Sequence, residues 1–391
     1  MNSDMTELSR AMYDEATSDF LTVQDAVEYL EKEGRMRTLR EKLEKFAYGR
    51  DLQTVLTEGL MKNHPDLSKD SARKRVRGWL TSDSRSLEKP DAIEVCFILG
   101  LSLEEADQLV ASIAEEGLHW RSPDEIVYIF ALKQGMAYPE ARALYEEMGA
   151  LLKGAREERA PQEDSFTPII RREVYALQSK EELADYLRQA APRLGRCHNT
   201  AYQLFTEMME MLKNPQLDEA MAQAEVMDAE KLTIRDILRE YFYENNVLYA
   251  KELVRESKKK NSRLGESGKR IFTAIEKSIS DSWPDEATLS KMKSRKTDVT
   301  RKVLILLFLA TDAGPDFDEE EEPTRDEVFQ DLYQRLNDML NLCGFSALDP
   351  RAPFDWLILY CICVPDMFDV DARMRAMFKT MFGERMEQES E

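Results

Sequence analysis

Along nearly the whole chain, apolar residues return every three or four positions, while strict apolar-polar alternation is almost absent. That period belongs to helices with one buried stripe, not to half-buried strands. The expected fold is all-α and multi-helix. The 15 glycines and 14 prolines are few for 391 residues, and several stand where a helix must stop. With 43% apolar residues the chain can bury cores, so it reads as folded and not disordered. At roughly 150 residues per domain the length implies two or three units.

Caps and breaks divide the chain. The first 20 residues are polar, acidic and without stop signals, which reads as a loose arm; residues 1–35 then comprise this arm and a first helix over 23–33. A helical domain over 36–153 follows, built from helices at 36–48, 51–63, 68–80, 90–99, 103–116, 123–134 and 139–152. The period fails between Gly154 and Pro168, which marks a boundary. A middle helical domain over 169–257 comes next, with Met208, Met209, Met211, Met221 and Met227 suited to fill a core or, alternatively, to line an adaptable groove for a partner helix. Residues 258–311 form a basic helical segment, and 323–391 a C-terminal helical unit. The run DAGPDFDEEEEP between them reads as a solvated linker.

Charge is the second strong signal. The chain carries a net −21, yet Lys69 to Lys89 holds seven basic residues against three acidic ones. Within that stretch Ala72, Val76, Trp79 and Leu80 gather on one side of a helix, which places Arg73, Lys74 and Arg77 opposite and Arg75 on the flank. Ser71, Arg85 and Lys89 complete the candidate surface. Such a local reversal of sign calls for an anionic partner. A second basic strip, Lys258, Lys259, Lys260, Lys291, Lys293, Arg295 and Lys296, precedes another apolar helix. The order basic helix, short link, apolar helix mirrors the first stretch, with Phe97 and Phe308 at corresponding positions; it reads either as a coincidence of composition or as a degenerate repeat that would make 258–311 a second helix-turn-helix-like unit.

Signals for other chemistry are weak. There is no phosphate-binding G-x-x-x-x-G-K-[ST] sequence, and His64, His119 and His198 are scattered in no zinc-ligand spacing. Each reads as a surface or helix-end residue. Cys96, Cys197, Cys343, Cys361 and Cys363 fit no disulfide framework, which points to reduced thiols and a cytoplasmic setting. The longest apolar runs, 303–310 and 356–364, fall short of the roughly 20 residues that span a bilayer. No catalytic residue, metal, cofactor or membrane partner is expected, and the chain does not read as an enzyme.

The pattern S-x-x-S-A-x-x-x-V-x-x-W-L from Ser68, then K-P, then IEVCFILGLSLEEADQLV resembles the second half of a Cro/C1-type (XRE) helix-turn-helix domain. The resemblance implies that Ser68–Leu80 is a recognition helix in the major groove, with Ser71, Arg73, Lys74 and Arg77 meeting double-stranded DNA, and that the protein is a transcriptional regulator. The connection MKNHPDLSKDS is longer than the family's usual turn and lacks its Q-x-x-[LV]-A sequence. Segments such as CFILGLS, PDEATLS and APFDWLILYC make most of the chain similar to uncharacterised helical proteins of anaerobic Gram-positive bacteria, which implies no activity. The alternative is a helical interaction or adaptor protein that uses its middle or C-terminal helices, its basic strips paired with acids such as Asp318 to Glu322. A homodimer is open to either reading.

Overall fold

The computed structural model of the protein describes residues 7–18, 21–32, 37–81, 87–114, 116–155, 165–213, 233–242, 275, 279, 283–312, 324–364 and 368–382. Among the described residues there are eighteen helices and no strand, with one isolated antiparallel bridge between Glu116 and Phe345. The chain is all-α, as its period predicts. No helix among the described residues is long and apolar enough to cross a membrane.

The helices are α1 (Glu7–Ala16), α2 (Val23–Lys32), α3 (Leu39–Ala47), α4 (Leu52–Asn63), α5 (Lys69–Thr81), α6 (Lys89–Leu99), α7 (Leu103–Ala114), α8 (Pro123–Lys133) and α9 (Tyr138–Ala155). They continue as α10 (Thr167–Ala176), α11 (Lys180–Ala190), α12 (Asn199–Lys213), α13 (Ile234–Tyr241), α14 (Glu286–Lys293), α15 (Arg301–Thr311), α16 (Arg325–Cys343), α17 (Pro353–Ile362) and α18 (Phe368–Phe382). They group into two compact units: Arg37–Gln203 with Met339–Ala347, and Met1–Met36 with Leu204–Asp338 and Leu348–Glu391. Composition breaks suggest consecutive segments instead, because they cannot register that distant stretches share a core.

In the first unit, helix starts follow from local chemistry. Thr38 and Glu41 close a capping box on α3, with Thr38 N donating to Glu41 Oε2 at 2.7 Å and Glu41 N to Thr38 Oγ1 at 3.3 Å. Asp51 caps α4 and Ser122 caps α8. Gly100 ends α6 in the left-handed region at φ +69, where a Cβ would be strained. Leu43, Leu56, Leu60, Val76, Val95 and Leu109 belong to one continuous core. Helix α4 packs on α5 and α6, α3 packs on α4, α5 and α7, and α8 and α11 pack on α9.

The second unit corrects one expectation. The segment read as a loose arm contains α1, with Met12 and Ala16 buried. It packs on α17, where Trp356 Nε1 donates to the Met12 carbonyl at 2.9 Å and Tyr360 OH to that of Leu21 at 3.2 Å. A ten-residue helix is marginal in isolation. Tertiary burial supplies what caps do not. In the same unit Arg301 and Asp355 form a buried bidentate pair at 2.7 and 2.8 Å, and Asp355 also accepts the Asp349 N–H at 2.8 Å. The basic-then-apolar order reappears as α14 followed by α15, and Phe97 and Phe308 are each half-buried. Of the methionines, Met209 is buried and Met211 exposed, while Met221 and Met227 lie outside the described residues.

Candidate nucleic-acid interface

Helix α5 starts at Ser68, whose hydroxyl accepts the Ser71 N–H at 3.2 Å while donating to the Ser71 hydroxyl at 2.9 Å. Ala72, Val76 and Leu80 are buried and Trp79 packs partly against the same core. Burying Val76 and Leu80 contributes roughly 1.5–3 kcal/mol each, which fixes the rotation of the helix about its axis. Lys69, Ser71, Arg73, Lys74 and Arg77 are exposed on the other side. No carboxylate among the described residues forms an ion pair with Arg73, Lys74 or Arg77.

Arg75 differs from its neighbours. Its Nη2 lies 2.6 Å from Asp91 Oδ1, and its guanidinium carbon sits 4.9 Å from the centre of the Trp79 ring. Lys89 does not join this face. Its ammonium lies 2.8 Å from Glu116 and 3.1 Å from Glu125, with only 15% of the side chain exposed. Burial alone would lower the Lys89 pKa, but Glu125 and Glu116 raise it above the ordinary lysine value. The lysine is therefore a structural cation rather than a surface one. Arg85 lies outside the described residues.

Comparison with protein-family models, curated proteins and solved structures finds no match.

The second basic strip is arranged differently. Lys258, Lys259 and Lys260 lie outside the described residues; Lys291, Lys293 and Lys296 are exposed. Arg295 is half-buried, in the left-handed region at φ +54. Contact with Lys213, at the end of α12, holds the Lys293 pKa below the ordinary lysine range.

Two of the three histidines lie away from the surface, whereas His64 does end α4. His119 and His198 are buried, with ring centroids 3.8 Å apart, and are not surface residues. His119 Nδ1 accepts the N–H groups of Arg121 and Ser122 at 3.3 and 3.1 Å, which leaves Nε2 to donate to the Arg196 carbonyl at 2.9 Å. Burial, and then the neighbouring His198, hold its pKa well below the histidine range. Both nitrogens serve the backbone. His64, at the end of α4, lies 2.8 Å from the buried Glu94, which also accepts from Asn63 at 3.0 Å. Glu94 stands alone in the apolar run of α6, and that isolation is the signal that could have revealed it. Asn63, His64, Tyr138, Arg142 and Glu146 line a cleft of about 260 Å³ beside it. All five cysteines are buried, and burial pushes the Cys96 and Cys361 thiols up, away from the nucleophilic thiolate.

Proposed function

We propose that the protein is a sequence-directed DNA-binding protein, a transcriptional regulator that places the outer side of α5 in the major groove of double-stranded DNA. Arg73, Lys74 and Arg77, with Ser71 beside them, face the bases and phosphates. What supports this is their exposure, without an ion-pair partner among the described residues, on a helix locked from behind in a chain of net −21. Acidic surface elsewhere repels a polyanion and so favours approach by this side. The connection from His64 to Ser68 holds α5 against α4 despite its length.

The experiment is an anisotropy titration of a mixed-sequence duplex at several salt concentrations. If Lys69, Arg73, Lys74 and Arg77 each neutralise one phosphate, log K falls against log salt with a slope near −3.6, so fourfold more salt weakens binding about 150-fold. The double variant R73A/R77A should halve that slope without changing helicity by circular dichroism. An unchanged slope in the variant, or no salt-dependent binding by the wild type, overturns the reading.

A further inference from the structure

We infer that Asp91 withholds Arg75 from the phosphate backbone, so that one of the five cations on α5 adds nothing to sequence-independent DNA binding. The inference rests on the reading of α5 as a DNA-binding helix. Two contacts on different sides hold the guanidinium: its edge meets the Asp91 carboxylate at 2.6 Å, and its face lies 4.9 Å from the Trp79 ring centre. Each partner is itself placed by the fold. Asp91 sits in the first turn of α6 behind Pro90, where the helix N-terminus favours a negative charge. Trp79 is partly packed against the core.

A phosphate that reaches the remaining donors of Arg75 meets a cation already neutralised by Asp91. No net positive charge becomes available to the duplex, and no additional counterion is released. Arg73, Lys74 and Arg77 carry no such restraint among the described residues, so each counts in full. The consequence is selectivity: Asp91 lowers affinity for arbitrary sequence, where electrostatics supplies nearly all of the binding. It leaves the three outward side chains to read the site.

The test is a double-variant cycle with wild type, D91N, R75Q and D91N/R75Q, each titrated with the same mixed-sequence duplex between 50 and 200 mM salt. Freeing Arg75 in D91N should steepen the slope by about 0.9, an additional loss of about 3.5-fold across that range. R75Q, which leaves Asp91 unpaired, should not steepen the slope, and D91N/R75Q should keep the wild-type slope. A slope shallower by about 0.9 in D91N/R75Q than in the wild type would show Arg75 already on a phosphate and overturn the inference, since that variant leaves no unpaired Asp91 to repel the duplex. So would a D91N effect that survives in the double variant, because Asp91 would then act through its own charge alone. D91S replaces D91N if the asparagine variant does not keep the wild-type melting transition. Wild-type protein that shows no salt-dependent binding removes the underlying reading of α5, an outcome separate from both of these.

Discussion

At the scale of single residues, burial decides what each charge does. Arg301 and Asp355 have side chains only 3% and 4% exposed, and they satisfy each other through two hydrogen bonds. Removing one partner strands the other: D355A should cost about 3–5 kcal/mol in urea unfolding, whereas an apolar pair such as R301M/D355L should cost much less. A loss under about 1 kcal/mol for D355A would contradict the geometry. His119 makes a pH prediction. The unfolded chain binds a proton near pH ~6.5 that the buried native ring refuses. Its contribution is therefore present in full above that pH and lost as pH falls below it. H119Q, neutral throughout, should be less stable at neutral pH but decline less steeply below pH ~6.5, and equal slopes would refute this. Asp107, whose pKa burial raises, acts with the opposite sign in both proteins, so the difference between them isolates the histidine.

At the scale of elements, most of the fold was legible because it rests on local chemistry. The Thr38, Asp51, Ser122 and Ser179 caps and the left-handed glycines place helix ends within a few residues of where the sequence puts them. The inward side of α5 was legible for the same reason. Two kinds of feature were not. Helix α1 owes its existence to α17, hundreds of residues away, and Lys89 is silenced by Glu116 and Glu125, which counting charges within one stretch cannot detect. The α4–α6 contact gives a prediction at this scale. A Cβ on Gly59 would overlap the Ile98 side chain, including its branched carbon. Alanine gains up to about 1 kcal/mol of helix propensity, but overpacking costs about 1–3 kcal/mol. G59A should therefore lower the unfolding midpoint, and I98A in the same chain should recover part of the loss. A stabilised G59A would mean that the two helices are not in close contact.

At the scale of the whole molecule, a strongly acidic chain carries one short helix that opposes the trend. Deleting residues 1–22 tests a separate point, the role of α1 in the second unit. It should expose Trp356, shift its fluorescence toward that of a solvated indole and lower that unit's melting temperature, and an unaltered spectrum would argue against the packing of α1 on α17. The central claim is that the outward side of α5 selects a DNA sequence. The most direct measurement is selection from a pool of random duplexes, run in parallel with wild type and R73A/R77A. The account predicts a sequence enriched by the wild type and lost by the variant, each arginine contributing about 1–3 kcal/mol of base discrimination. Failure of the wild type to enrich any sequence, or enrichment of the same sequence by both proteins, would contradict it.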